Sequence, residues 1–356
     1  MADNSWRRPR QADIARLAGV SQATVSYVVN GRTDGPAIPD QTRDRVLAAA
    51  RELGYVANPS ARSLAGGANR LIGVYTFESM FPMDHHDFYY PFLVGIEAEA
   101  EAQGYDLVLF TSATTADGRR SIFRGHTSRL GLADGCVLLG KNADRDELVQ
   151  LRDDRYPFTY VGRREIPGGR ISYVAADYAA ATGRVVDHLV KLGHRRLAQL
   201  GPRTPGEYSA DRDSGLREAS ARHGLDGTGL DCPIDDAGPG TDDVRRLLAA
   251  GATAFVVHEP AAALRVRAIL GELGLRVPAD CSLAVLNDPP GGIPEAADLT
   301  CFQIPRRGMG SRAVRLLLKQ INDPRNAKPH TAVLRCTFVP GRTSGPAPAV
   351  SLKGMT

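Results

Sequence analysis

The stretch DIARLAGVSQATVSYVVN, residues 13–30, reads as two short helices joined by a tight Gly-Val-Ser turn. Ile14, Leu17 and Ala18 recur at three- and four-residue steps, as do Val25, Val28 and Val29, so each helix carries one apolar stripe. Gly19 allows the positive φ that ends a helix, Val20 fills the gap between the stripes, and Ser21 caps the free N–H groups of the second helix. A helix-turn-helix of this kind leaves Gln22, Ala23, Ser26 and Tyr27 facing outward where a recognition helix meets base edges in the major groove. A helical hairpin buried in a core has the same local pattern, so the decision rests on the rest of the chain.

With 356 residues the chain has room for a large core and a small module. Its formal charge is +4, and residues 1–65 carry nine arginines against six acids, a mild basic bias that permits phosphate contacts. No segment approaches the roughly 20 continuous apolar residues of a membrane span, and MADNSWRRPR has no apolar run of a secretion signal, so a cytoplasmic protein is expected. Cys136, Cys232, Cys281, Cys301 and Cys336 are scattered without CxxC spacing, which predicts buried thiols rather than disulfides or zinc.

Beyond the helix pair, GRTDGPAIPD is turn-rich, and Thr42, Val46, Leu47, Ala50 and Leu53 mark a third helix closed by Gly54. In NPSARSLAGG, Asn58 suits a cap and Pro59 a first helical position, but barely two turns fit before the glycines, so that helix needs a partner to form. From Arg70 onward strand-like runs (LIGVYTF, YDLVLFT, GCVLLG, PFTYVG, ISYVA, RLAQL, TAFVV, SLAVL) alternate with helical stretches. The expected helices cover residues 92–103, 119–130, 178–192, 216–223, 244–250 and 261–273. This alternation predicts parallel sheets covered by helices, long enough for two Rossmann-like lobes. The closing elements, strand TCFQI, helix 310–321 and strand VLRCTF, are expected to return the chain through both lobes and so form a hinge beside a cleft.

Taken in order, VSQATVSYVVNG, TRDRVLAAARELGYVANPSARSLAGG, RLIGVYTF, DHLVKLGHRRLAQLGP, RDSGLREA and LRVPADCSLAVLND resemble the lactose-repressor (LacI/GalR) family of bacterial transcription factors over nearly the whole chain. The resemblance implies an all-α helix-turn-helix headpiece plus an α/β periplasmic-binding-protein-like effector domain. Its expected divisions are a headpiece at 1–57, a hinge helix and linker at 58–68, a two-lobed effector-binding and dimerisation domain at 69–345, and a tail at 346–356. It further implies a homodimeric repressor or activator, or a higher oligomer, on palindromic operator DNA with two half-sites, controlled by a carbohydrate or related metabolite, with repressor the first expectation. Carried over by position, Gln22, Ala23 and Tyr27 read bases, while Ser21, Thr24, Ser26 and Asn30 hold phosphates or the helix end. Many members have arginine where Tyr27 stands, and tyrosine lacks the bidentate fork for guanine, so a different base preference is expected. The loop before the third helix is longer than usual, with Pro39 near the place of a capping serine and Asp40 at the helix's positive end. The resemblance makes Leu64 a minor-groove wedge with Ala61 on the same face; the alternative is packing of Leu64 on the lobe behind it.

In the effector domain the resemblance assigns Arg212 of ADRDSGL to clasping ligand oxygens, against the plainer reading of an ion pair with Asp211 or Asp213. His258–Glu259 and Asn287–Asp288 depart from the family's common Asn-Asp and Asp-Asp pairs, and either alters the donors facing a ligand or ties a loop to a helix end. Phe88 and Tyr89 match the aromatic start of the first lobe helix and either stack on a sugar or pack the core. Asp84, His85, His86 and Asp87 are ligand types too close in sequence to converge on one ion, so no metal is expected. No GxSxG, Walker, HExxH or placed GxGxxG motif occurs, so neither catalysis nor a cofactor is expected. The remaining alternative is a solute-binding receptor of the same fold, which would have no use for the leading helices.

Overall fold

The first helix forms because Asp13 accepts the Arg10 backbone N–H at 2.9 Å and places a carboxylate in the opening turn. It is α1 (Gln11–Ala18), followed by α2 (Gln22–Val29) and α3 (Asp40–Glu52). Gly19 ends α1 in the left-handed conformation at φ 65°, and Ser21 Oγ accepts the Thr24 N–H at 3.1 Å. Ile14, Ala18, Val25, Val28, Val46, Ala49 and Ala50 are buried together, with Val20, Val29, Ile38, Leu53 and Tyr55 packed around them. Each buried Ile or Val contributes roughly 1.5–3 kcal/mol to so small a core. Leu17 departs from the expected stripe: it is 46% exposed, because only the narrow arc through Ile14 and Ala18 faces the other two helices.

The computed structural model describes residues 9–29, 37–55, 69–78, 86–111, 120–124, 127–204, 206–227, 230–235, 237–289, 294–326 and 328–349. These divide into two compact units, one of residues 1–71 with 132–134, and one of residues 72–131 with 135–356.

The larger unit is built on two main sheets. The first has the order β2-β1-β5-β6-β7-β13, from β1 (Leu71–Thr76), β2 (Asp106–Phe110), β5 (Gly135–Leu139), β6 (Phe158–Val161), β7 (Tyr173–Ala176) and β13 (Thr331–Leu334). Its pairs β1–β5, β5–β6, β6–β7 and β7–β13 are parallel. The second has the order β9-β8-β10-β11, all parallel, from β8 (Leu197–Pro202), β9 (Asp231–Ile234), β10 (Ala254–Val257) and β11 (Ser282–Val285). Strands β1, β5, β6, β10 and β11 are buried almost throughout, as expected of strands covered on both faces. The helices are α4 (His86–Ala102), α5 (Arg145–Asp153), α6 (Tyr178–Lys191), α7 (Glu207–Arg222), α8 (Thr241–Ala249), α9 (Pro260–Glu272) and α10 (Arg306–Asn322).

The chain passes between lobes three times: from β7 into α6, from β12 (Cys301–Gln303) into α10, and from β13 into β14 (Thr337–Val339). The crossings are tied to one another, since Asp177 N–H donates to Leu334 O at 2.8 Å and Arg184 Nη2 to Cys336 O at 2.6 Å. The run VLRCTF, expected as one strand, is therefore split: β13 joins the first sheet, and β14 pairs antiparallel with β12 beside the second.

Two further expectations are corrected. Residues 119–130 were expected to be helical, but the described part forms the short pair β3 (Phe123–Arg124) and β4 (Thr127–Ser128) and a 3₁₀ turn at Arg129–Leu132. The Glu147 carboxylate accepts the backbone N–H groups of Ile122 and Phe123 at 3.0 and 3.4 Å as well as the Ser121 hydroxyl, drawing those donors away from a helical ladder. Helix α7 starts at Glu207 rather than near Leu216 and runs through Gly215, which lies where α7 meets the backbone of Ala179: a Cβ there would stand 2.2 Å from Ala179 O. All five cysteines are buried free thiols. Among the described residues no helix is long and apolar enough to cross a membrane.

Candidate functional site

The loops after the carboxyl ends of the strands in the two sheets meet, with Lys141 Nζ 5.2 Å from the Tyr208 ring centre and Arg163 paired with Asp211, and the cleft between them is the usual place for a ligand in open α/β sheets. Glu78 follows β1, Lys141 follows β5, and Arg163 and Arg164 follow β6. From the second lobe come the first turns of α7 after β8, His258–Glu259 after β10 and Asn287–Asp288 after β11. Tyr178 and Arg306 enter from two of the crossings.

Arg212 is the best-enclosed cation of the cleft, 1% exposed. Its guanidinium carbon lies 4.7 Å from the Tyr178 ring centre and 5.2 Å from that of Tyr208, and Nη1 is 3.4 Å from Glu259 Oε1. Rings at those distances stabilise the cation by about 0.5–2 kcal/mol each. Its Nε has no hydrogen-bond partner among the described residues. Neither expected rival holds it: Asp211 pairs with Arg163, and Asp213 lies 3.2 Å from His258 Nε2. Burial pushes the Tyr178 hydroxyl pKa up to about 12, against the pull of Arg212, so the ring stays neutral.

Glu259 is the N-cap residue of α9, with Pro260 following as first helical residue. Its second carboxylate oxygen accepts Asn287 Nδ2 at 3.0 Å, so Arg212, Glu259 and Asn287 form one polar chain. Asp288 instead ties the crossing into α10: it takes the Ile304 N–H and lies 2.5 Å from Arg306 Nη2. Burial outweighs that ion pair and raises the Asp288 carboxyl above its ordinary range. His258 is 1% exposed, with Nε2 3.4 Å from the Gln199 amide nitrogen and Nδ1 unpartnered among the described residues. Such a buried ring nitrogen is a ready partner for a ligand hydroxyl.

The two aromatic candidates divide. Phe88 is half-buried, with Lys141 Nζ 6.0 Å and Arg306 Cζ 5.4 Å from its ring centre. Tyr89 is buried in the core and donates its hydroxyl to Glu78 Oε2 at 2.7 Å. Glu78 also accepts the backbone N–H groups of Lys141 and Asn142 at 2.7 and 2.8 Å, bridging the loops after β1 and β5. Glu78, Lys141, Arg164, Tyr178, Gln199, Tyr208 and Arg306 complete the cleft without having been singled out by sequence. The available signal was position, since most lie within a few residues of the end of a buried strand.

On the headpiece Ser21, Gln22 and Ala23 are exposed, and Thr24, Ser26 and Tyr27 are half-buried along the same helix. Pro39 precedes α3 without a side-chain cap, and Asp40 occupies its first turn. Asn30, Ala61 and Leu64, the hinge at 58–68, and Asp84 and His85 lie outside the described residues. Among the described residues no group of three or more His, Cys, Asp or Glu side chains is placed to hold a metal ion.

Residues 12–58 match the model of bacterial regulatory proteins, lacI family, and residues 186–344 that of a periplasmic binding protein-like domain. The chain is 30% identical over 327 residues to the HTH-type transcriptional regulator MalR of Streptomyces coelicolor, covering 88% of this chain and 90% of that protein. It aligns with the Lac repressor dimer bound to operator and the anti-inducer ONPF at a TM-score of 0.67 and 25% identity, over 95% of this chain and 100% of that one. The transcriptional regulator CelR–cellobiose complex shares the fold at a TM-score of 0.62 and 24% identity, over 94% and 100% of the two chains.

Proposed function

Because the chain belongs to the lacI family of bacterial regulatory proteins and is a DNA-binding transcriptional regulator, we propose that it is a repressor whose operator binding is set by a small carbohydrate in the cleft. The observation that carries the carbohydrate reading is Arg212, buried between Tyr178 and Tyr208 with a free Nε donor. Aromatic faces suit the C–H faces of a sugar ring, and guanidinium, His258 and Asn287 suit its hydroxyls. In the proposed complex two copies bind two operator half-sites, as the Lac repressor does in its operator-bound dimer. Residues 58–68 link headpiece to effector domain, with Ala61 and Leu64 toward the minor groove. Bound to chromosomal DNA, the protein works in the cytoplasm at the nucleoid and has no catalytic role. The solute-receptor alternative draws no support from the match at residues 12–58, which such a receptor does not need.

The test is a gel shift on DNA flanking the gene, repeated across salt concentrations and with cellobiose, maltose and monosaccharides added. A specific complex weakened by one sugar supports the whole reading. Specific DNA binding indifferent to every sugar overturns the carbohydrate part, and the absence of any specific complex overturns the operator part.

The base readers are proposed to be Gln22, Ala23 and Tyr27, with Ser21, Thr24, Ser26 and Asn30 on phosphates or the helix end. Selection of sites from random DNA is expected to return different motifs for the wild type and for Tyr27→Arg, since the arginine fork discriminates guanine by about 1–3 kcal/mol. One shared motif would remove Tyr27 from the base readers.

A further inference from the structure

We propose that Arg145, Arg163 and Arg164 of the first lobe and Glu207 and Asp211 of the second form an ionic latch that closes the cleft with the chain's own charges. The inference rests on reading that cleft as the effector site and concerns what sets its resting state.

Three guanidiniums converge on the first turns of α7. Arg163 grips Asp211 with two donors, Nη2 to Oδ1 at 2.7 Å and Nε to Oδ2 at 3.1 Å. Arg164 Nη1 reaches Glu207 Oε2 at 2.9 Å, and Arg145 Nη2 reaches Glu207 Oε1 at 2.8 Å. The backbone joins in: the Glu165 N–H donates to Glu207 Oε1 at 3.3 Å, and Arg163 Nη2 to the Glu207 carbonyl at 3.3 Å. Arg164 is itself fixed by the carbonyls of Gly140 and Lys141 at 3.0 and 2.6 Å, at the end of β5. Arg163 also pairs with Glu165, so three cations meet three carboxylates and the cluster is neutral when assembled.

The contacts are graded in burial. The Arg164 and Glu207 side chains are 8% and 10% exposed, whereas Arg145 at the rim is 51% exposed. Burial works to raise the Glu207 carboxyl, but its own backbone N–H at the helix start, Arg164 and Arg145 outweigh it and hold the group below its ordinary range. Glu207 and Asp211 stand one helical turn apart on the face that meets the other lobe, and Arg212 is the next residue. The latch and the ligand cation therefore share one rigid helix. Opening the lobes separates five charged groups at once, and closing re-forms all of them, which makes the cluster a two-state element. The closed state is then populated without a sugar, and a ligand acts by stabilising or wedging a cleft that is already shut. Exposed pairs in the cluster are screened as the Debye length shrinks from about 8 Å at physiological salt to about 3 Å at 1 M, so salt shifts the balance toward open.

The test uses the full chain carrying fluorophores on Asp154→Cys in the first lobe and Glu272→Cys in the second, both exposed positions. The five native thiols are buried, so labelling is directed to the introduced cysteines. Energy transfer without sugar is expected to be high at low salt and to fall at about 1 M NaCl. In Glu207→Gln/Asp211→Asn it is expected to be low at both, and in the swap Arg163→Asp/Asp211→Arg to return toward the wild-type value. Thermal unfolding checks that each variant is folded; should the double variant not fold, Arg163→Gln and the charge swap give the same comparison. Transfer in folded Glu207→Gln/Asp211→Asn, or in Arg163→Gln, equal to wild type at low salt overturns the latch. Adding cellobiose or maltose separates the two readings: salt-dependent transfer with no sugar response keeps the latch and removes the carbohydrate effector.

Discussion

Replacing Arg212 with methionine is expected to weaken the response to the cleft ligand sharply and to leave ligand-free operator binding unchanged. The guanidinium is 1% exposed, lies over two tyrosine rings and holds a donor that meets no protein acceptor among the described residues. A hydrogen bond to a charged group contributes about 1.5–3 kcal/mol, so losing the one from Nε lowers sugar affinity about 10- to 100-fold. Methionine keeps the apolar stem between the rings, which separates lost donors from lost packing. Arg212→Lys restores the charge but not the planar fork, and is expected to recover little of the affinity. Glu259 in Arg212→Met retains Asn287 as partner, and Arg212→Met/Glu259→Gln removes the stranded charge. Calorimetry with the sugar selected by gel shift reads the effect. If Arg212→Met binds that sugar within a few-fold of wild type, the ligand lies elsewhere.

How far these features can be read from the sequence depends on the range of the interactions behind them. The headpiece is legible because its determinants are local: Gly19, Ser21 and the stripes of α1 and α2 act within a few residues. The alternation of buried strands and helices is legible for the same reason. Where a residue's partner is distant in sequence, periodicity is silent. Glu147 captures N–H groups of Ile122 and Phe123 and so defeats the expected helix there, although nothing near Ser121 announces it. Arg335 and Cys336 sit inside an unbroken strand-like run, yet the chain changes lobes at that point, because β13 completes one sheet and β14 finds β12 beside the other. Among the cleft residues Arg212 is visible from its motif. Tyr178 reaches Arg212 only through the packing of α6 on α7, and Arg306 reaches Asp288 only where the chain crosses into α10. Tyr89, equally visible, turns its hydroxyl to Glu78 within the core.

Gly215→Ala is expected to destabilise the effector domain more than a single added methyl group does elsewhere on its helices. The new Cβ would lie 2.2 Å from Ala179 O, 2.7 Å from Ala179 Cα and 2.8 Å from Ala179 C, all backbone atoms of α6 that no rotamer change relieves. The two helices must move apart, which opens gaps around Ala181, Val185, Leu216 and Ala219 in the core they share. Overpacking of this kind costs about 1–3 kcal/mol, equivalent to a fall of several degrees in the thermal midpoint of a domain this size. The control is Gly271→Ala on the exposed side of α9, where an added Cβ meets nothing within 4 Å. There the substitution removes only a flexible residue from the last turn of α9 and is expected to raise stability by up to about 1 kcal/mol. Because α7 also carries Tyr208 and Arg212, the shift in Gly215→Ala should weaken sugar binding in the surviving folded fraction, whereas Gly271→Ala should not. Thermal unfolding of the two variants beside wild type decides the matter. Equal shifts of the same sign would mean that α6 and α7 are not held at backbone contact.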